Sequence, residues 1–213
     1  MQCIPHRLLR FVLVFGLLAL ACSAGARAGE RTVLVLGDSI SAAYGMSLEQ
    51  GWVALLETEL AAAGRDIDVV NASISGETTS GGLRRLPRLL EEHEPELVIV
   101  ELGANDGLRG YPLTRMRDNL SAIVSLAQEA GAGVVLLPME IPPNYGPRYT
   151  AEFRETFRRV AADSGAVLAP FILGEFAADL SYMQADGIHP TADAQAIMLD
   201  TVWPTILQAL PGT

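Results

Sequence analysis

His189 stands three residues after a carboxylate, in Asp186-Gly187-Ile188-His189-Pro190. It is the histidine placed to move protons near neutral pH, because His6 falls in a leader-like start and His93 in the acid-rich run Glu91-Glu92-His93-Glu94. A base of this kind serves a hydroxyl nucleophile, since a serine Oγ–H attacks poorly until an imidazole takes its proton. Ser39, in Gly37-Asp38-Ser39-Ile40-Ser41, is the candidate nucleophile. Asp186 can hold the second ring nitrogen of His189. The plainer alternative is that Asp186 closes a turn and His189-Pro190-Thr191 starts the last helix. One usable histidine, no cysteine beyond position 22 and no His-x-x-x-His pair leave too few ligands for metal-assisted hydrolysis, so no metal and no cofactor is expected.

The elements that must position these residues alternate along the chain. Short runs rich in Val, Ile and Leu at 32–36, 67–70, 97–101, 133–137 and 167–169 predict five parallel strands buried on both faces. Amphipathic stretches at 52–63, 80–92, 113–130 and 151–163 predict helices between them, and 191–210 predicts a closing helix. Gly64, Gly131 and Gly165 stand where three of these helices should stop. The expectation is a single three-layer α/β/α domain of flavodoxin-like architecture around a five-stranded parallel sheet. In such sheets the site lies beyond the carboxyl ends of the strands. The polar clusters follow strands as that rule requires: 37–41 after the first, 71–78 after the second, 103–107 after the third, and the Asp186 turn after the fifth. Taken singly, each cluster also reads as a helix cap or a turn.

Gly37-Asp38-Ser39, the isolated Gly76 in Ser-Gly-Glu-Thr, Gly103-x-Asn105-Asp106 and Asp186-x-x-His189, in this order, resemble the four blocks of the SGNH, or GDSL, hydrolase family. The resemblance spans nearly everything from Arg31 onward. Its wording is most similar to a bacterial secreted branch with acyl-CoA thioesterase, lysophospholipase and arylesterase activities. The resemblance implies a catalytic Ser39, Asp186 and His189, and an oxyanion hole from the N–H groups of Ser39 and Gly76 and the side-chain amide of Asn105. Gly76 would keep a side chain from obstructing its N–H. Asp38, Asp106, Asn71 and Ser73 receive no proton-transfer role and read as residues that bond nearby backbone N–H groups. Leu108, Tyr111, Ile141 and Pro142, with Met139 and Pro143, are candidates for an apolar acyl pocket or for ordinary rim packing. Residues 107–111 are the segment expected to move with substrate. Tyr145 and Tyr149 stay unassigned.

Residues 1–28 read as a secretory signal peptide: His6 to Arg10 is basic, 11–21 is apolar, and Ala24-Gly25-Ala26-Arg27-Ala28 offers small-x-small cleavage. An apolar run of 11 residues is short of the roughly 18 that spanning requires. The expectation is therefore export, to the periplasm, of one domain from 29 to 213, with no stable membrane span. Leu20-Ala21-Cys22-Ser23 carries a rival reading as a lipidation box. Cys3 and Cys22 both fall in the leader, so no disulfide is expected in the domain. The whole chain carries 15 basic and 25 acidic residues, a charge of −10, and loss of Arg7, Arg10 and Arg27 takes it to −13. That charge disfavours nucleic acid as a partner, and Arg84, Arg85 and Arg88 read as a solvated helix face. The expected partner is a small acyl ester or thioester, and the oligomeric state stays open. Two alternatives stand beside this reading: a carbohydrate acetylesterase, and a non-catalytic lipid-anchored binding protein.

Overall fold

The computed structural model describes residues 31–212, so the leader expectation for 1–28 and both cysteines lie outside the described residues. Strands β1 (Arg31–Gly37), β2 (Ile67–Asn71), β3 (Leu97–Glu101), β4 (Gly133–Leu136) and β5 (Val167–Leu168) form one all-parallel sheet in the order β2-β1-β3-β4-β5. This is the flavodoxin-like order, and the direction of winding reverses between β1 and β3. All five residues of β3 are buried and so are six of the seven in β1, as strands covered on both faces require.

Helix α1 (Trp52–Ala62) packs with α6 (Gln195–Ala209). Helix α2 (Thr79–His93) packs with α4 (Leu113–Glu129), and α4 with α5 (Pro147–Ser164). Gly64, Gly131 and Gly165 all have positive φ just beyond α1, α4 and α5, as their places in the sequence suggested. Among the described residues no helix is long and apolar enough to cross a membrane.

Three differences from the sequence reading have physical causes. Helix α5 starts four residues before the expected Ala151, with Pro147 in its first turn, a position where proline loses no helical hydrogen bond. The last helix is preceded by a separate 3-10 turn at Ala192–Ala194. A short helix α3 (Ala104–Leu108) was not anticipated, because Ala-Asn-Asp-Gly-Leu is too short to show a period and has turn-like composition. Helix α3 captures Gly107 from the segment expected to move. Gly107 is buried, and a Cβ there would come within 2.6 Å of the Phe153 ring and 2.8 Å of Ile141, so only glycine allows α3 to seat this closely.

Candidate active site

The β1 strand delivers Ser39 through a tight turn. Asp38 is 1% exposed, and its Oδ1 accepts the Ile40 N–H at 3.0 Å, which bends the chain around the serine. Ala42 N–H donates to the Asp38 carbonyl and Tyr44 N–H to the Ser39 carbonyl, so the turn continues as a helical loop. Ser39 itself stays half-buried.

His189 arrives from the other end of the chain. Its turn is held by an antiparallel bridge between Met183 and Pro190 and by the Gln184 N–H, which donates to the His189 carbonyl at 2.7 Å. The Gln184 side-chain amide donates to the carbonyls of Tyr44, at 2.7 Å, and Pro190, at 2.9 Å, and so ties the histidine turn to the serine loop. The Ser39 Oγ then lies 2.9 Å from His189 Nε2. On the far side His189 Nδ1 lies 2.6 Å from Asp186 Oδ2.

Asp186 serves both of the readings its position allowed, one with each oxygen. Oδ1 accepts the N–H groups of Ile188 at 2.9 Å and His189 at 3.0 Å and so closes the turn, while Oδ2 orients the imidazole. These bonds, led by the one from the His189 N–H, hold the carboxyl down at about 2. An ionised Asp186 makes Nδ1 the protonated ring nitrogen, which leaves Nε2 free to accept the serine proton.

The Asn105 side-chain amide, on α3, donates to Asp38 Oδ2 at 3.0 Å, which leaves its second N–H available. Neither the Ser39 nor the Gly76 N–H joins a backbone hydrogen bond among the described residues. Gly76 has φ +78°, and a Cβ built there would meet nothing nearer than Arg109 at 3.6 Å. The left-handed backbone is by itself a reason for glycine at this position, beside the open approach to its N–H that the sequence reading asked for.

Supporting contacts refine several expectations. Asp106 bonds the Thr79 N–H at 2.8 Å and the Thr79 hydroxyl at 2.7 Å, so it fastens α3 to the start of α2 instead of serving its own turn. Asn71 accepts from the Ser73 N–H and donates to the Ser41 carbonyl. The Ser73 hydroxyl is buried without a hydrogen-bond partner. Arg85 is not part of a solvated face: it pairs with Glu77 at 2.9 Å and donates to the Ala72 carbonyl at 3.0 Å, bracing the loop that carries Gly76. Tyr145 and Tyr149 donate to the carbonyls of Leu108 and Tyr111 at 2.7 and 3.1 Å, tethering the segment after α3.

A cavity of about 510 Å³ opens over Ser39, Asn105 and His189. Leu108, Ile141 and Pro142 line it, as do Met139 and Pro143. Tyr111, proposed with them, is not among the lining residues. Phe171, Leu173 and Met183 complete the apolar wall, and the sequence offered no signal for them because they come from irregular segments beyond β5. A cavity of similar size, about 530 Å³, opens around Arg31, His93 and Glu96 but is lined by no serine beside a base.

Two further residues escaped the sequence reading. The Tyr44 ring packs on His189 with centroids 4.2 Å apart and planes 31° from parallel, in reach of a cation–π contact worth about 0.5–1 kcal/mol when the imidazole is charged. Glu101 lies wholly buried beneath the serine turn, with Oε2 accepting the Asp38 N–H at 3.2 Å and the Ser41 hydroxyl at 2.8 Å. A glutamate closing the otherwise apolar run Leu-Val-Ile-Val-Glu was the available signal.

Comparison with known proteins agrees with this geometry. An esterase named TesA from Pseudomonas aeruginosa is 50% identical over 198 residues, spanning 93% of this chain and 98% of its own length. A protein of Escherichia coli strain K12 named thioesterase 1/protease 1/lysophospholipase L1 is 42% identical over 173 residues, 81% of this chain and 82% of its own. A crystal structure of TesA superposes with a TM-score of 0.83 at 51% identity, covering 84% of this chain and 100% of that one. Residues 35–197 match the GDSL-like lipase/acylhydrolase family, and the chain belongs to that family.

Proposed function

We propose that this protein is a serine hydrolase that cleaves carboxylic esters and thioesters of acyl chains through an acyl-enzyme on Ser39. The observation that carries the reading is the unbroken Ser39–His189–Asp186 hydrogen-bond chain, 2.9 and 2.6 Å, at the mouth of an apolar-walled cavity. His189 Nε2 takes the Ser39 proton as Oγ bonds to the acyl carbonyl carbon, and returns it to the departing alkoxide or thiolate. A water then repeats the sequence and releases the acid. The negative oxygen of each tetrahedral intermediate meets the N–H groups of Ser39 and Gly76 and the free N–H of Asn105. Imidazolium formed in each step is stabilised by Asp186 and faced by Tyr44. The relatives named esterase and thioesterase support both leaving groups.

The cavity volume is in the range of small-molecule sites, and its wall of Leu108, Ile141, Phe171, Leu173 and Met183 suits an acyl chain better than a sugar. Burying a methylene contributes about 0.8 kcal/mol, so kcat/KM should climb by up to about fourfold per carbon from acetyl esters upward until the pocket is filled. A series of p-nitrophenyl esters and acyl thioesters measures this, with Ser39→Ala as the inactive control. A maximum at acetyl would favour a carbohydrate acetylesterase. A fluorophosphonate probe should label the wild type and leave Ser39→Ala unlabelled; equal labelling of both would sink the serine-hydrolase reading and favour a binding protein. The leader pattern supports export, with the reaction in the periplasm. The mass of the exported protein should correspond to cleavage after Ala28, a lipid-modified Cys22 being the contrary result.

A further inference from the structure

The floor of the site holds a second carboxyl group for which hydrolysis has no use. Glu101 is 0% exposed at the end of β3, and Asp38, 1% exposed, faces it from the β1 turn. The donors around the two are divided unequally. Asp38 has both oxygens satisfied, Oδ1 by the Ile40 N–H and Oδ2 by the Asn105 amide. Glu101 receives the Asp38 N–H and the Ser41 hydroxyl on Oε2, with the Trp52 indole N–H donating in turn to Ser41 at 3.2 Å. Its Oε1 meets no partner. A bare carboxylate oxygen in a dry interior costs far more than an unbonded hydroxyl, and two like charges side by side cost more again. The titratable groups felt by the pair are each other and, from the histidine turn, His189. From α1 comes the neutral Trp52 indole, and from α3 the neutral Asn105 amide.

We propose that Asp38 and Glu101 carry a single negative charge, with the proton on Glu101 and the charge on Asp38, and that neutral Glu101 is a positioning residue that fixes the Ser39 turn and, through Asp38, the Asn105 amide. The catalytic half rests on the serine-hydrolase reading; the proton half does not depend on activity. Burial, followed by the Asp38 charge, pushes Glu101 well above its ordinary value, whereas Asp38, raised by burial and pulled back by its hydrogen bonds, reaches only about 6. Charge on Asp38 strengthens its bond to the Asn105 amide and so holds the other N–H of that amide toward substrate.

Melting temperature against pH, for wild type and Glu101→Gln, tests the proton. A group whose folded value is raised above the unfolded 4.5 loses stabilising effect as pH rises from there toward the folded value. Glutamine imitates the protonated acid and cannot ionise, so the melting temperature of Glu101→Gln minus that of wild type should grow from pH 5 to 8. Asp38, raised to about 6 with Glu101 among the groups that set that value, titrates in the lower part of this range, so growth of the difference between pH 7 and 8 is what reads Glu101. A difference that stays flat overturns the proton assignment.

The positioning role is read in kinetics. Glu101→Ala should lower kcat about 10- to 100-fold with KM held within about twofold, and Glu101→Gln should recover most of the loss. In an Asn105→Ala background, Glu101→Ala should cost no more than about threefold, because the residue it positions is already gone. Fully additive losses, or a glutamine variant as impaired as alanine, overturn the positioning role. Should the alanine variant fail to fold, Glu101→Leu, which fills the space without accepting the Asp38 N–H or the Ser41 hydroxyl, takes its place in the same comparison. Ser39→Ala with wild-type turnover would defeat the hydrolase reading alone and leave the melting experiment intact.

Discussion

His189→Ala is expected to lower ester turnover by about 10⁶-fold while the melting temperature moves little. The size of the loss follows from the absence of a substitute. Ser39 Oγ has His189 Nε2 at 2.9 Å, and the nearby Asp38 carboxyl already accepts from Ile40 and Asn105. What survives is the contribution of the oxyanion donors and of binding, about 10³- to 10⁴-fold over water. The fold should tolerate the change because the backbone of position 189 makes the turn: its N–H reaches Asp186, and its carbonyl takes the Gln184 N–H. Alanine retains both. Turnover of a p-nitrophenyl ester and thermal unfolding by circular dichroism are the measurements, and near-wild-type turnover would remove His189 from the reaction.

What could be read in the sequence was whatever depends on neighbours in the chain. Strand β3 is bounded at 97 and 101 in both readings, because the apolar run 97–100, begun after Pro95-Glu96 and closed by Glu101 shortly before Gly103, is self-limiting. Ser39, Asn105 and His189 were visible for a related reason: each belongs to a short local block resembling one of the SGNH hydrolase blocks, and the topology rule for parallel sheets gathers the segments after the strands at one edge. The 3-10 turn before α6 and the early start of α5 are differences of a few residues at element ends, where caps compete with helical period.

Contacts that require the fold were invisible. Tyr44 acquires its partner because Gln184, 140 residues away, draws the two loops together. Arg85 looked like one of three solvated arginines, yet α2 turns it toward Glu77 and the Ala72 carbonyl. Tyr111 seemed to belong to the acyl pocket by its place after the third strand, but its carbonyl takes the Tyr149 hydroxyl and its side chain is not among those that line the cavity. Glu101 is the instructive case. The sequence reading counted it within a strand buried on both faces without giving it a role, and the register that places it beside Gly37 shows it to be a floor under the nucleophile.

Asp186 should be the second most costly loss, and two substitutions separate its tasks. Asp186→Asn keeps an oxygen for the Ile188 and His189 N–H groups but ends the charge that sets the imidazole tautomer, so kcat should fall by about 10⁴-fold with the melting temperature near that of wild type. Asp186→Ala should lose about as much activity and, in addition, melt earlier, because two backbone donors lose their acceptor. Stability against pH carries a further signature. The Asp186 carboxyl is lowered from 3.8 to about 2, so its stabilising contribution is complete above about pH 4 and disappears as pH falls through 2. The gap in melting temperature between wild type and Asp186→Ala should accordingly narrow between pH 4 and 2. The same low value keeps Asp186 ionised well below neutral pH, so an acidic fall in kcat/KM above about pH 4 does not belong to Asp186. An asparagine variant with wild-type turnover would reduce Asp186 to a turn-closing residue, the plainer of the two roles its spacing allowed.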